Sequence, residues 1–360
     1  MSIFSRPSSL PGRAHPDPAR PHWSRSFNTW LIILNITVFV FNNVLFRNVV
    51  VRTDYGTFDV GSPTPEQRQR ALPKPSRISQ VPGDPRGMLV YQIVDPDKFY
   101  GDEQGIIREV PIGIHRFRYE PIIHSLGHFS TARALLWRGN WSNTGLEVWR
   151  FVTFQFLHYD ITHLLFNMLG LLFFGRMVEE RLGARRFGAF YLTCGIFGAL
   201  LYLVLNVVGW SFSQMMGRAV SVPLLLFSDP YTPLIGASAG VFGVLIAAAH
   251  LNPREMVSVF FIIPMRLRTA VIIFTGLAAV NLIRGGPNAG GDAAHIGGAL
   301  AGAFFVRRTH LLRDFFQVLG PYRGTGSREL NRIMNKARQG GVARLSRRER
   351  ELLSRARESA

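Results

Sequence analysis

The feature that most constrains this chain is an uncharged run of 24 residues from Phe187 to Trp210. At a rise of about 1.5 Å per residue, a helix of this length crosses a hydrocarbon layer roughly 30 Å thick. Two further uncharged runs extend from Thr29 to Phe46 and from Ile235 to Leu251. Hydrophobic residues make up 47% of the chain, a share that soluble proteins also reach. Their concentration in long runs nevertheless predicts an integral membrane protein.

Six apolar segments are predicted to cross the membrane as helices, at about 29–46, 158–177, 187–210, 236–251, 268–284 and 292–306. The short loops between them set the orientation, because Lys and Arg concentrate in loops on the cytoplasmic side. Four arginines between Arg176 and Arg186 follow the second segment, and three between Arg254 and Arg268 follow the fourth. With the basic N-terminal segment and tail, these residues predict a multi-pass, all-α membrane protein whose two termini are cytoplasmic.

The chain is predicted to consist of five parts. The predicted parts are a flexible cytoplasmic N-terminus (1–27), a first transmembrane helix (28–46), a long extracytoplasmic loop (47–148), a core with five further transmembrane helices (149–308) and a basic cytoplasmic tail (309–360). Within the loop, the segment "MLVYQIV" is predicted to be a β-strand because it is short, apolar and rich in β-branched and aromatic residues.

The net charge of +18 raises the question of nucleic-acid binding. Residues 307–360 hold 14 Lys and Arg against 5 Asp and Glu, hence +9, and other basic residues flank apolar runs. No nucleic-acid-binding motif accompanies the charge, so we predict no nucleic-acid partner and expect a lipid bilayer instead. In the tail, Ser346 and Glu349 have the spacing of a helix capping box, and the tail is interpreted as an amphipathic hairpin near anionic lipid.

Two polar residues interrupt the apolar segments where chemistry is possible. Ser238 lies between small residues in "LIGASAGVFG", and His295 lies in "GGDAAHIGGALAG". A histidine inside a span is costly and usually faces a cavity or a polar partner. Taken alone, His295 is explained equally well by a hydrogen bond between helices.

The spacing of glycines favours a closer relation between these two residues. One helix face carries Gly291, His295, Gly298 and Gly302, and the other segment carries Gly236, Gly240 and Gly243 around Ser238. Small residues at such intervals let helix backbones approach closely. We therefore predict that the serine hydroxyl lies within hydrogen-bond reach of the imidazole, as nucleophilic catalysis requires. Phe242, one turn after Ser238, is expected to stack on the imidazole.

A nucleophilic serine also needs donors for the oxyanion that its attack creates. In "HLLFN", His163 and Asn167 are four residues apart and therefore share one helix face. Either residue alone more commonly bonds a neighbouring helix. Together with the backbone N–H of Ser238, they would provide three donors around one point.

Several motifs now occur in a specific order, and the chain resembles the rhomboid family of intramembrane serine proteases. The resemblance covers roughly Trp149 to Arg308. It rests on Trp149–Arg150, "HLLFN", "VEERLG", "GASAG" and the set Gly291, Ala294, His295, Gly298 and Gly302. It implies a bundle of six transmembrane helices. In this chain the first helix would be followed by a long extracytoplasmic loop.

The resemblance also implies a serine endopeptidase that hydrolyses peptide bonds in or beside transmembrane segments of other proteins. Ser238 would be the nucleophile, His295 the base, and His163 and Asn167 the oxyanion donors. The supporting residues would be Phe242, Gly236, Gly291, Gly298, Gly302, Trp149, Arg150, Glu179 and His158. Of these, Trp149 and Arg150 would brace the first loop, and Glu179 would anchor a cytoplasmic helix end by hydrogen bonds. No metal or organic cofactor is implied, and the implied location is the bacterial inner membrane.

Two features depart from the usual family pattern. Ala239 follows the serine where glycine is more usual, and the first loop is longer than in the minimal family form. Asp292 precedes His295 by three residues and is interpreted as exposed at the outer helix end, since the family uses a serine–histidine dyad. The alternatives are an inactive rhomboid-like scaffold that binds membrane proteins, and a transporter, for which no inverted repeat is found.

Overall fold

The computed structural model describes residues 26–46, 48–59, 66, 72–73, 79–80, 89–101, 107–135, 147–216, 230–259, 262–286, 288–312, 315, 332–337 and 339–358. Almost all of the N-terminal segment predicted to be flexible, residues 1–27, lies outside the described residues. The chain separates into two compact units, Met1–Thr309 and His310–Ala360.

Helices form most of the described residues of the first unit. They are α1 (Phe27–Val40), α2 (Ile122–Gly127), α3 (Thr131–Ala134), α4 (Arg150–Thr153), α5 (Ile161–Gly170), α6 (Arg176–Leu182), α7 (Ala184–Met216), α8 (Ser238–Leu251), α9 (Leu267–Arg284) and α10 (Ala289–Phe305). A π-helical turn at Phe41–Leu45 extends α1, and another at Leu171–Gly175 joins α5 to α6. Short 3-10 turns occupy Phe154–Phe156 and Thr309–Leu312.

Among the described residues, four helical segments are long and apolar enough to cross a membrane: Phe27–Leu45, Ile161–Leu182, Ala184–Ser213 and Leu267–Arg284. The other two predicted segments are also helical, but α8 has 14 residues and α10 has 17, fewer than the roughly 20 of a typical span. Helix α8 is short because the chain before Ser238 is extended, with Leu234 and Gly236 bonded to the backbone of Phe129 and Phe154.

The long loop after α1 contains a β-sheet, so the all-α prediction is wrong for this segment. Its strands are β1 (Val50–Asp59), β2 (Leu72–Pro73), β3 (Ser79–Gln80), β4 (Leu89–Gly101) and β5 (Ile107–Pro121). They pair antiparallel in the order β1–β5–β4–β2, with β3 also on β4. The strand predicted at "MLVYQIV" is confirmed, since β4 begins at Leu89. A lone strand cannot satisfy its backbone hydrogen bonds, and β4 pairs with β5, β2 and β3.

A second, smaller sheet lies between α8 and α9. It is a hairpin of β6 (Met256–Val259) and β7 (Ile263–Arg266), which pair antiparallel. The hairpin carries the chain from the end of α8 to the start of α9, where Leu267 donates a backbone hydrogen bond to Glu255.

Helices α8 and α10 are in backbone contact, as the glycine spacing predicted. A Cβ atom on Gly298 would lie 2.0 Å from the carbonyl oxygen of Ala239, and one on Gly302 would lie 2.6 Å from the Cα of Gly243. Both distances are far below van der Waals contact. The absence of side chains at Gly298 and Gly302 therefore sets the separation of the two helices.

Two other glycines of the predicted faces do not take part in this contact. A Cβ on Gly240 would meet the ring of Tyr191 on α7 at 2.5 Å, and one on Gly291 would meet Asn288, which caps its own helix. The prediction that Gly240 and Gly291 line the α8–α10 contact is wrong. A helix enclosed on several sides needs small residues on more than one face.

The second unit contains α11 (Arg347–Glu358). The predicted capping box is confirmed, because the Glu349 N–H donates to Ser346 Oγ at 3.2 Å and the Ser346 N–H donates to Glu349 Oε2 at 2.8 Å. Lys336 Nζ adds an ion pair to the same carboxylate at 2.9 Å. These contacts fix the start of α11 in a tail that is otherwise strongly basic.

Candidate active site

Ser238 is the first residue of α8 and follows a strained turn at Gly236. Gly236 has φ of +129°, a backbone conformation that residues with a side chain rarely adopt. A Cβ there would also lie 2.8 Å from the His163 ring. Its N–H donates to the Phe154 carbonyl at 3.0 Å. Held in this way, the turn presents Ser238 at a helix N-terminus, where backbone N–H groups lack intrahelical partners and carry partial positive charge.

The serine and the histidine predicted to act together are in hydrogen-bond contact. Ser238 Oγ lies 2.8 Å from His295 Nε2, although the two residues are 57 positions apart. The ring of Phe242 stacks on His295 with 4.3 Å between centroids and 4° between planes. The stacked ring fixes the imidazole plane, and within that plane Nε2 faces the hydroxyl.

The two predicted oxyanion donors lie beside this pair on α5. The His163 ring contacts the turn at Gly236, within the same small volume as Ser238 Oγ. Asn167 is buried, and its side-chain amide donates to the His163 carbonyl at 2.9 Å. A primary amide has two N–H donors, so one remains for a ligand. The side chains of Ser238, His295, His163 and Asn167 all line one cavity.

That cavity has a volume of about 1170 Å³ and runs between two of the long helices. Phe166 and Phe173 line it on the side of α5 and the following π turn, whereas Ala270 and Phe274 line it on the side of α9. Its walls are therefore largely apolar, with Ser238, His295, His163 and Asn167 among the polar residues that line it. A cavity of this kind suits an extended apolar chain with one polar group to be contacted.

The prediction that Asp292 is exposed at the outer end of its helix is wrong. Its residue is 7% exposed, and its Oδ1 lies 3.2 Å from His295 Nδ1. Asn281 on α9 donates a short hydrogen bond to its other oxygen, Oδ2. Because α9 packs over the start of α10, it covers a carboxylate that sequence position alone suggested was at a free helix end.

Arg150 and Trp149 fasten the segment before α5 to the first loop. Arg150 is fully buried, donates to the His128 carbonyl at 2.5 Å and forms an ion pair with Glu147. Trp149 is half exposed, and its indole N–H donates to the Leu126 carbonyl at 3.2 Å. These bonds hold residues 126–128 against α4, next to the backbone pairing of Phe129 with Leu234 that leads to Ser238.

The other two supporting residues lie at opposite ends of the α5–α6 segment. Glu179 accepts hydrogen bonds from Ser26 Oγ and the Phe27 N–H, both at 2.6 Å, so it joins α6 to the start of α1. His158 is buried and packs edge-on against the His163 ring, with 5.1 Å between centroids. Glu179 therefore contacts a neighbouring helix, and His158 contacts His163, one of the two candidate oxyanion donors.

A cluster of Glu120, His124 and His128 also has the residue types of a metal site. Their ligand atoms lie within 4.8 Å of one another, and His124 Nδ1 lies 3.0 Å from Glu120 Oε2. However, Arg118 forms an ion pair with the same carboxylate oxygen, and Arg150 donates to the His128 carbonyl. With two guanidinium groups beside it, the cluster is better suited to bracing the loop than to holding a cation.

This cluster makes the first loop sensitive to acid. Burial lowers the pKa of His128 from 6.5 to about 3. Burial alone would raise the pKa of Glu120, but the hydrogen bond from His124 and the positive charges around it lower it instead. Both groups bind fewer protons when folded than when unfolded, so their stabilising contribution is present at neutral pH and is lost as the pH falls.

We therefore expect the folded protein to lose stability between pH 6.5 and about 3, the two pKa values of His128 in the unfolded and folded states. Each group that takes up a proton on unfolding contributes a slope of about 1.4 kcal/mol per pH unit. Thermal unfolding measured across this range should show a shallower slope for His128→Gln than for the wild type. The exposed His250, changed to Gln, is the control. Equal slopes in all three proteins would contradict the assignment.

The fold and the cavity define a helical membrane protein with a serine–histidine pair enclosed among its helices. Comparison with known families adds that residues 145–310 match the rhomboid domain. The chain therefore contains a rhomboid domain, which covers just under half of its length. The match includes Trp149, Ser238 and His295 and excludes the sheet of the first loop.

Individual relatives agree with this assignment. The chain is 30% identical over 153 residues to RHOMBOID-like protein 12, mitochondrial, of Arabidopsis thaliana, covering 42% of this chain and 44% of the relative. It is 25% identical over 143 residues to Rhomboid protease GlpG of Yersinia pestis (strain Pestoides F), covering 35% of this chain and 51% of that protein. The chain thus spans about half the length of the curated relatives it matches, and one of them is named a protease.

Proposed function

We propose that this protein is an intramembrane serine endopeptidase, with Ser238 as nucleophile and His295 as general base. The observation that carries the proposal is the 2.8 Å contact between Ser238 Oγ and His295 Nε2 inside an apolar cavity between helices. Hydrogen-bonded serine and histidine side chains are the minimal arrangement for activating a hydroxyl. The rhomboid-domain match of residues 145–310, and the similarity to a relative that is named a protease, support the same function.

In the proposed reaction, Ser238 Oγ attacks the carbonyl carbon of a substrate peptide bond while His295 Nε2 takes the hydroxyl proton. The resulting oxyanion would lie near the N–H of Ser238, the free amide N–H of Asn167 and the His163 ring. Donors placed where negative charge develops stabilise the transition state more than the ground state. The N-terminal end of α8 adds its partial positive charge.

The tetrahedral intermediate then expels the amine, which takes the proton from His295, and leaves an acyl-enzyme on Ser238. Water, deprotonated by the same imidazole, attacks the ester carbonyl and releases the acid, returning the proton to Ser238. Each step uses the same two side chains, and the donors that stabilised the first oxyanion stabilise the second. The reaction needs water at Ser238, which the polar side chains around it are suited to retain.

The proposed substrates are transmembrane segments of other proteins, entering between α5 and α9. The aromatic and aliphatic side chains lining that side of the cavity match an apolar chain. An intact helix hides its carbonyl groups in its own hydrogen bonds, so a substrate has to unwind before cleavage. Segments with Gly, Pro or polar residues unwind most easily and are the expected sites.

We further propose that all six predicted apolar segments, including the shorter α8 and α10, cross the membrane of a bacterial cell, with both termini in the cytoplasm and the β-sheet outside. The arginines that follow α6, those around β6–β7 and the basic tail would then share one side. Reporter fusions after Arg185, Arg254 and Arg308 should therefore be cytoplasmic, and a fusion in the first loop should be external. A cytoplasmic first loop would overturn this orientation.

An inactive scaffold is the alternative in the same family. The scaffold would bind membrane proteins in the same cavity without cutting them, and it requires no particular contact between Ser238 and His295. The stacked Phe242 ring and the positioned Nε2 atom favour the protease, because binding alone gives no reason for an aligned proton acceptor.

The direct test is labelling of the detergent-solubilised protein with a fluorophosphonate probe, which reacts with activated serines. We expect one adduct, on Ser238, when the labelled protein is digested and mapped. Ser258 on β6 lines the same cavity but has no histidine partner among the described contacts, so it is the internal control. Labelling of Ser258 alone, or of neither serine, would favour the scaffold.

For Asn167→Ala, we expect turnover to slow by about 10²-fold or less, since other oxyanion donors remain. The protein should stay folded, because the hydrogen bond described for this amide is to the His163 carbonyl of its own helix. Cleavage of a membrane-anchored reporter gives the rate, and thermal unfolding checks the fold. Loss of folded protein would instead give Asn167 a structural role.

A further inference from the structure

Asp292 contacts the ring nitrogen of His295 that does not contact Ser238. It belongs to the first turn of α10, three residues before the histidine, so both side chains share one helix face. Its Oδ1 lies 3.2 Å from His295 Nδ1, while His295 Nε2 lies 2.8 Å from Ser238 Oγ. The imidazole thus bridges a carboxylate and a hydroxyl through its two different nitrogens.

The two ends of this bridge need one particular tautomer. A neutral imidazole carries its proton on either nitrogen, and only the unprotonated nitrogen accepts a hydrogen bond. A carboxylate accepts but does not donate, so the contact with Asp292 requires the proton on Nδ1. Nε2 is then left with the lone pair that accepts the Ser238 hydroxyl proton.

The other contact of His295 cannot make this choice. Phe242 stacks parallel to the imidazole, with 4° between the planes. The stacked ring fixes the plane of the imidazole, but both tautomers are flat and stack equally well. Among the described contacts, Asp292 is therefore the group that distinguishes one tautomer from the other.

The carboxylate is itself held in place from a second helix. Asn281, on α9, donates its side-chain N–H to Asp292 Oδ2, which leaves Oδ1 directed at His295. The carboxylate also lies in the first turn of α10, where the partial positive charge of a helix N-terminus stabilises an anion. A buried acid thus has two partners and a favourable helix end, which accounts for its presence in an apolar region.

We propose that Asp292, held by Asn281, is a positioning residue that keeps His295 in the tautomer that can accept the proton of Ser238. The inference rests on the proposed protease function but goes beyond its serine–histidine dyad. No proton passes to Asp292 in the reaction; the carboxylate stabilises the imidazolium that forms when Nε2 takes the serine proton.

The test with a structural readout is ¹⁵N NMR of the full-length protein labelled at histidine, with the His295 signals assigned by their loss in His295→Gln. In the wild type at neutral pH, we expect a protonated Nδ1 and an unprotonated Nε2. In Asp292→Ala, the two tautomers should become mixed. If the alanine variant does not fold, Asp292→Asn replaces it in this measurement, because asparagine has nearly the same shape as aspartate. A wild-type tautomer in both variants would overturn the proposal.

Kinetics provide the second readout. For Asp292→Ala, we expect kcat for a membrane-anchored reporter to fall on the order of 10²–10⁴-fold, the range of general-base catalysis, with KM nearly unchanged. Asp292→Glu should recover part of the lost kcat, and Asn281→Ala should lower kcat less than Asp292→Ala does. The control is Glu255→Gln, which removes an exposed carboxylate and should have the wild-type kcat. Unchanged kcat in Asp292→Ala would also overturn the proposal. If the wild type neither labels nor cleaves, the protease function fails, while the NMR result still decides the role of Asp292.

Discussion

Replacing Ser238 with alanine is expected to abolish cleavage of a membrane-anchored reporter, with kcat falling on the order of 10⁶-fold, as for loss of the nucleophile in a serine protease. The reason is chemical, because no other described hydroxyl contacts His295 Nε2. The change removes one oxygen atom from a half-buried site at a helix N-terminus. The fold should therefore be unaffected, and thermal unfolding of the variant should match the wild type.

The matched control for this substitution is Ser258→Ala. Ser258 lies on β6 and lines the same cavity, so its replacement tests whether any loss of hydroxyl in the cavity reduces activity. We expect wild-type cleavage from Ser258→Ala. Equal cleavage by the wild type and Ser238→Ala would remove the protease proposal, and retained binding of a membrane partner without cleavage by either would support the scaffold.

The second large effect is expected at Gly298, where α8 and α10 touch. In Gly298→Ala the new methyl carbon would lie 2.0 Å from the carbonyl oxygen of Ala239, a backbone atom that cannot rotate away. The two helices would have to separate by about 1 Å or more. Overpacking of this kind costs about 1–3 kcal/mol, and misplacing a catalytic group by about 1 Å costs on the order of 10² in rate.

We therefore expect Gly298→Ala to lower both the unfolding temperature and the cleavage rate, because Ser238 and His295 are on the two helices that are pushed apart. Gly276→Ala on α9 is the matched control. A Cβ at Gly276 has no neighbour within 4 Å, so alanine there should leave activity unchanged and stabilise the helix by up to about 1 kcal/mol. Equal activity of the two variants would show that the close contact of α8 and α10 does not set the site geometry.

The contrast between these two glycines explains why the sequence was informative at some positions and not at others. Gly298 and Gly302 follow a helical repeat that includes His295, so their common face was predictable. Gly240 and Gly291 follow the same repeat but pack elsewhere, because a spacing rule gives the face of a helix and not the identity of its neighbour. The spacing of three between Asp292 and His295 already placed both on one face, but only α9 shows that the carboxylate is covered.

The first loop likewise has some features that were predictable from the sequence and others that were not. One strand was predictable from "MLVYQIV", whereas the pairing of β1 with β5 joins residues that are far apart in the chain, such as Val50 and Pro121. The cluster of Glu120, His124 and His128 forms where the end of β5 leads into α2. Nothing in local composition indicates that residues 126–129 will be fastened both to Arg150 and to the segment before Ser238.

The sequence by itself determined the apolar helices, the positions of the serine and the histidine, and the glycines that allow two helices to touch. These properties depend on length, polarity and spacing along one segment, which the chain carries locally. The tertiary structure alone decided which atoms face each other: His295 Nε2 toward Ser238, His295 Nδ1 toward Asp292, and Asn281 behind the carboxylate. A hydrogen bond depends on distances of a few tenths of an ångström between segments, and those distances are set by the packing of all the helices together.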